Sequence, residues 1–450
     1  MIPFEAHGDG FSSENVYASV NGRKMAMFIK INPPILTSEN LTDRYVQFRF
    51  YDANTNSSIK NVSFFLNVTK GDQKLGHDLF YTEDGFMTIK FQPGEEGKWL
   101  VHGDHFPIND AWYSQTDQVN VVSPILSQGG LYHFNMDLLS FDYPNENLPP
   151  YNGTVMFDSY LSVGDFGSTA INYNAKSYNT TIVSYYDKIS NINFDSSKLR
   201  FSWSMPFDWD QSRYQDRKFL VHEELRIPDS FKEFVNTPTF SATINGNPMN
   251  PNKIVFDTYS IENTAIVHLF VYKDDVKKLS SAIGVNTNTM DFAVSPSQTN
   301  ITTSSDIFSD FGGWEIKLGW SPQTLSGGAI NNLKLSFYDQ LTGQPVQSDV
   351  NYDLKILDAR GDTIISKSNL VARGGTDIQS INMPSNGIYV IHVSVKSFIN
   401  NDILDTSRPG TARGNIVIPE FGVIVTWVLA VALVSIIAVS ARSGLRFSLK

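Results

Sequence analysis

Two stretches far apart in the chain share one pattern, and a chain that repeats such a pattern must build the same β unit at least twice. Residues 50–68 read FYDANTNSSIKNVSFFLNV, and residues 337–356 read FYDQLTGQPVQSDVNYDLKI. Phe50-Tyr51-Asp52 with Thr55 matches Phe337-Tyr338-Asp339 with Thr342. Past one inserted residue, Val62, Phe64, Leu66 and Val68 match Val350, Tyr352, Leu354 and Ile356. A period of two puts each set of four on one face of a strand, and the Asp-x-x-Thr link before it is turn chemistry. Further on, Pro93 with Gly97-Lys98-Trp99-Leu100-Val101-His102 matches Pro384 with Gly387-Ile388-Tyr389-Val390-Ile391-His392. That pattern predicts a closing Gly-x-aromatic strand of the kind found in immunoglobulin-like sandwiches, with Trp99 and Val101 inward and His102 outward.

Short alternating segments bounded by Gly, Pro, Asn and Asp fill most of residues 16–417, so the fold class is mainly β. After an N-terminal segment, 1–15, immunoglobulin-like sandwiches are expected at 16–123 and 313–417, flanking a larger β-rich domain at 131–294. Pro124 and Gln128-Gly129-Gly130 mark one boundary; the Ser/Thr-rich stretch 295–305 and Gly312-Gly313 mark the other. In the central domain, Asn245-Gly246 predicts a hairpin. Short helices are expected from Asp229-Ser230, with Glu233 closing a capping box, and near Asp274–Ala282.

From Phe421 to Ala441 run 21 residues without a charge. As a helix they span about 31 Å, the hydrocarbon thickness of a bilayer. Trp427 sits near the start of the run, and Arg442, Arg446 and Lys450 follow it. The positive-inside rule keeps that tail cytoplasmic and residues 1–420 outside, with the membrane itself as a partner. Residues 418–450 thus read as a sorting signal, one C-terminal transmembrane helix and a basic tail. The tetrapeptide Pro419-Glu420-Phe421-Gly422, then the apolar span, then the basic residues, resembles the PEFG-CTERM sorting signal of archaeal (thaumarchaeal) surface proteins. The resemblance implies that an archaeosortase, a membrane transpeptidase-like enzyme, recognises those four residues, trims the tail and transfers the protein to a surface anchor. The opening MIPFEAHGDGFSSENVYASV has neither a charged n-region nor an apolar h-region. Two readings remain: a start truncated upstream, favoured by the tail, or a tail-anchored protein facing the cytoplasm.

Composition narrows the chemistry. The 450 residues contain no cysteine, which excludes disulfides, thiolate metal sites and a cysteine nucleophile. An excess of 46 acidic over 35 basic residues argues against a nucleic-acid partner. No G-x-S-x-G, Walker, dinucleotide or complete zincin motif occurs, so the chain leans away from catalysis. His102-Gly103-Asp104-His105 offers two imidazoles and a carboxylate to copper or zinc, although His102 also fits the outward side of the closing strand. His222-Glu223-Glu224 lacks a second His four residues on and sits in a strand-like run ended by Pro228. A partnership of His222 with His268, also in an apolar strand-like run, is the remaining option for that pair.

Phe201, Trp203, Met205, Phe207 and Trp209 alternate with smaller residues. Trp203 and Trp209 are candidates for a platform that stacks on sugar rings, against the more economical reading of a sandwich core. Seven Asn-x-Ser/Thr tripeptides are about what composition alone produces, but Asn56, Asn61 and Asn67 form a cluster of candidate glycosylation sites. The expected function is therefore a membrane-anchored, outward-facing surface protein with a structural, adhesive or ligand-binding role among envelope proteins and glycans. The alternative is an exported copper- or zinc-binding protein or enzyme that uses His102, His105, His133, His222 or His268.

Overall fold

Period-two patterning becomes strand along most of the chain. The computed structural model describes residues 11–418 apart from 21–22, 38–40, 144–155, 211–218, 238, 284–286, 298–302, 311–312, 341, 359–361, 401–402 and 406–409. The chain divides into two compact units: Met1–Thr299 with Asp310–Gly312, and Asn300–Ser309 with Gly313–Lys450. The first unit holds two sandwiches and the second holds one, each with its own apolar core.

In the first sandwich, Arg23–Asn32, Arg44–Asp52 and Phe86–Gln92 are successive neighbours in one sheet. Gln73–Thr82, Val62–Lys70, Gly130–Ser140 and Met156–Val163 are successive neighbours in the other. Val62, Phe64, Leu66 and Val68 are fully buried between the sheets, and Phe64 meets the rings of Phe48 and Phe50 from the facing sheet. The second unit repeats the frame. Trp314–Ser321, Ile330–Asp339 and Thr376–Asn382 form one sheet; Thr363–Ala372, Asp349–Asp358, Gly387–Asn400 and Gly410–Ile418 form the other. Val350, Tyr352, Leu354 and Ile356 are again fully buried. The matching turns are built alike. Asp52 accepts the Thr55 N–H and Asp339 accepts the Thr342 N–H, each at 3.0 Å.

The closing strand departs from the sequence expectation. Gly387–Asn400 pairs with Asp349–Asp358, but its structural counterpart in the first sandwich is Gly130–Ser140, which pairs with Val62–Lys70. Gly130-Leu131-Tyr132 answers Gly387-Ile388-Tyr389, and both glycines hold a positive φ, 144° and 146°. The Tyr132 hydroxyl donates to the Gln128 carbonyl and the Tyr389 hydroxyl to the Ser385 carbonyl, both at 2.9 Å and both four residues back. This is the tyrosine corner of immunoglobulin-type sandwiches. Leu100–His102 instead pairs with Gln118–Val122 at the edge of the other sheet. Trp99 is half-buried against the core, Val101 is buried and His102 exposed, as the alternation predicted. Gly130–Ser140 and Met156–Val163, which a boundary at 131 would give to the central domain, therefore complete the first sandwich.

The central sandwich begins at Asp165. One sheet runs in the order Asp165–Tyr173, Lys176–Ser184, Leu220–Pro228, Thr264–Tyr272, Ile254–Ile261. The other runs Ser190–Asp195, Arg200–Pro206, Thr289–Ser297, Thr239–Ile244, Asn247–Pro248. Asn245 and Gly246 turn the expected hairpin with φ of 46° and 77°, the backbone sign that favours this dipeptide. The helix Lys273–Ile283 forms where expected. The capping box at Asp229-Ser230 does not form. The short helix Lys232–Val235 starts after Phe231 with no side-chain cap, because Phe231 and Phe234 are drawn into the core.

Among the described residues no helix is long and apolar enough to cross a membrane. Pro419, Glu420, Phe421, Gly422 and the apolar run after them lie outside the described residues.

Candidate functional site

Alternation along Leu220–Pro228 sends adjacent side chains to opposite faces of the central sheet. Val221, Leu225 and Ile227 enter the sandwich core, and Glu223 goes with them. Its carboxylate accepts the Ser184 hydroxyl at 2.6 Å and the Trp203 indole N–H at 2.9 Å. Burial pushes its pKa up to about 8. His222, Glu224 and Arg226 occupy the other face. On the neighbouring strand, in register, Glu224 stands opposite His268, and His222 opposite Phe270.

That register assembles a buried cluster. His222, Glu224 and His268 are 6%, 4% and 4% exposed, and Asp257 on the next strand is wholly buried. His222 Nε2 lies 3.1 Å from His268 Nδ1, and the two are 3.7 and 3.6 Å from Glu224 Oε1. Oε1 also accepts the Tyr185 hydroxyl at 2.9 Å, while Oε2 accepts Arg226 Nε at 2.7 Å. On its far side, His268 Nε2 faces Asp257 Oδ2 at 3.5 Å. Burial, then the neighbouring His268 and Arg226, hold the His222 pKa well below its ordinary value, so its imidazole is neutral at physiological pH. The Tyr185 ring stacks on that imidazole at 4.5 Å. Two imidazoles and a carboxylate with converging lone pairs can bind a cation or share a proton.

The sequence candidates fall elsewhere. His102, Asp104 and His105 are exposed and do not converge; among the described residues only His222, Glu224 and His268 gather three metal-binding side chains. His105 pairs with Asp110 Oδ1 at 2.9 Å and packs on Trp112, because its loop folds back on itself. Trp203 is 1% exposed, stacked on Phe292 and bonded to Glu223, which puts it in the core and out of reach of a sugar ring.

Trp209 is also buried, 7% exposed, with its indole N–H on the Thr289 carbonyl at 3.1 Å, and it meets only the wall of a cleft of about 1030 Å³ within the first unit. Phe207 and Asp208 line the cleft with it, and Asp72, His133 and Tyr160 of the first sandwich lie across from them. His133 is hydrogen-bonded to Asp158 and stacked on Tyr160 at 4.0 Å. Asn56 lies exposed in the turn after Asp52. Asn61 is committed at both ends of its amide, donating to the Asp142 carbonyl and accepting the Tyr81 hydroxyl. Asn67 sits mid-sheet, on the side away from the core, between His77 and Asn135.

The structure joins His222 with His268, the option left open by the sequence, and adds Asp257 and Tyr185, which carry no sequence signal. The one local signal was His222-x-Glu224 in a strand-like run, which shares a face at period two.

No family model matches the sequence, and no curated protein matches it. Among solved structures the chain is similar to the crystal structure of domains A168-A170 from titin, at 7% identity, over 90% of this chain and 99% of that one. The TM-score is 0.15, too low for that likeness to support any argument.

Proposed function

We propose that the chain is a membrane-anchored surface protein of the cell envelope, with its sandwiches displayed outward as a structural and adhesive array. The observation that carries this reading is the join at residue 418. The last sandwich is described as far as the buried Ile418 in its strand Gly410–Ile418, and in the sequence Pro419, the first residue of the sorting tetrapeptide, follows directly. Proline cannot donate to a strand ladder, which supports a reading in which the sandwich gives way to the membrane signal at this point of the sequence. The apolar run 421–441 and the basic tail then supply the span and its orientation. Two immunoglobulin-like frames, each closed by its own tyrosine corner and core, give a spacer that needs no disulfide.

Two measurements test this. Mass spectrometry of the C-terminus from native membranes should find the chain trimmed near Pro419–Gly422 by an archaeosortase-like enzyme; Lys450 at full occupancy would sink the sorting reading. Protease added to intact cells should digest the sandwiches, and complete protection would sink the outward orientation. A ligand-binding role is favoured by the aromatic and acidic cleft, whose chemistry suits an envelope glycan. Asp208→Ala, folded by circular dichroism, should then lose retention on an envelope-glycan column.

A further inference from the structure

The His222–Glu224–His268 cluster shares no residue with the cleft and is not needed by the surface role. Its geometry is specific. Around a tetrahedral cation with bonds of about 2.0–2.2 Å, ligand atoms stand about 3.3–3.6 Å apart. The three separations here, 3.1, 3.6 and 3.7 Å, bracket that edge length. The outer partners also fit. A metal-bound imidazole usually has its second nitrogen against a carboxylate, which fixes the ring and raises its basicity. His268 offers Nδ1 to the cluster, and its Nε2 faces Asp257. Arg226 and Tyr185 orient the Glu224 carboxylate from outside in the same way.

The donor set is borderline in softness, two nitrogens and one oxygen, and suits zinc or another late divalent first-row ion better than calcium or magnesium. We propose that His222 Nε2, His268 Nδ1 and Glu224 Oε1 bind one divalent transition cation, with zinc as the best match, and that Asp257 positions His268. The site is closed to bulk solvent, and its ligands lie on two adjacent strands, Leu220–Pro228 and Thr264–Tyr272, which the ion would cross-link while its fourth position is left to a water.

The experiment uses the purified full chain in detergent, stripped with chelator and titrated with zinc sulfate alone. One equivalent should bind, and the central domain should melt several degrees higher than in the stripped protein. Cobalt(II) in place of zinc should give the intense visible absorption of a tetrahedral site. Glu224→Gln and His268→Gln, which stay close in size, should abolish stoichiometric binding in protein shown to be folded. Asp257→Asn should weaken binding about 10- to 100-fold without changing the stoichiometry. His102→Ala with His105→Ala should leave binding unchanged.

The proposal is overturned if folded, stripped protein takes up less than a tenth of an equivalent. It is equally overturned if one equivalent still binds to folded Glu224→Gln and His268→Gln proteins. The 3.1 Å contact would then be a hydrogen bond between the two imidazoles.

Discussion

The first and last sandwiches share seven strands, a turn and a tyrosine corner, yet they differ where the chain crosses from one sheet to the other. In the last sandwich the strand ending at Asn382 reaches Gly387 through four residues, Met383 to Asn386. The first sandwich instead inserts residues 93–129 between Gln92 and Gly130. Short strands from that insertion extend the edge of each sheet: Gln118–Val122 beside Phe86–Gln92, and Trp112–Tyr113 beside Gln73–Thr82. An insertion is tolerated there because an edge strand has unpaired backbone groups for added strands to satisfy. The same insertion carries a second Gly-x-aromatic pattern, Gly97-Lys98-Trp99, which imitates the closing strand without occupying its place. A repeated sandwich is thus defined by which strands pair, and a local sequence match can fall on the wrong one.

Matched substitutions can break or sharpen that equivalence. Leu66→Ala and Leu354→Ala remove the same fully buried side chain from the same strand of each frame. Each should destabilise its own domain by about 2–5 kcal/mol, measured by urea unfolding. A large loss in one domain with none in the other would refute the shared frame. Tyr132→Phe and Tyr389→Phe delete the two corner hydrogen bonds and should each cost about 1 kcal/mol. A Tyr132→Phe protein as stable as its parent would remove Gly130–Ser140 from its place as counterpart of Gly387–Asn400.

The smallest effect concerns the turn. The Thr55 N–H, then Arg23 and the Asn54 N–H, hold Asp52 below the ordinary carboxylate range. A lowered pKa adds stability that is complete above the unfolded value, near pH 4, and is lost as pH falls through the folded value. Asp52→Asn should therefore flatten the acid limb of the first domain's stability profile and leave the last domain's unchanged. An unaltered acid limb would mean the turn aspartate contributes nothing through its charge.

Much of the fold is legible in the order of residues alone. Period two places Val62 to Val68 and Val350 to Ile356 on core faces, and all eight alternate positions are buried. Asn245-Gly246 announces its hairpin, and the helix near residue 274 forms. The candidate site is legible only in part. His222 and His268 are visible as histidines in apolar runs, but Glu224 looks like half of an acidic pair. The capping box fails for a related reason: tertiary burial of Phe231 outweighs a local capping preference.

The division between the two sources has a physical cause. Sequence determined the properties that depend on near neighbours: strand periodicity, turn chemistry, the absence of thiol chemistry, and an apolar run long enough to span a bilayer. Tertiary structure decided the properties that depend on register. Whether Gly97 or Gly130 opens the closing strand, and whether Glu224 meets His268, are set by pairings between residues far apart in the chain. Shifting such a pairing by one residue would turn every side chain to the other face. Only the packed core selects the register, and with it the face on which His222, Glu224, His268 and Asp257 come together.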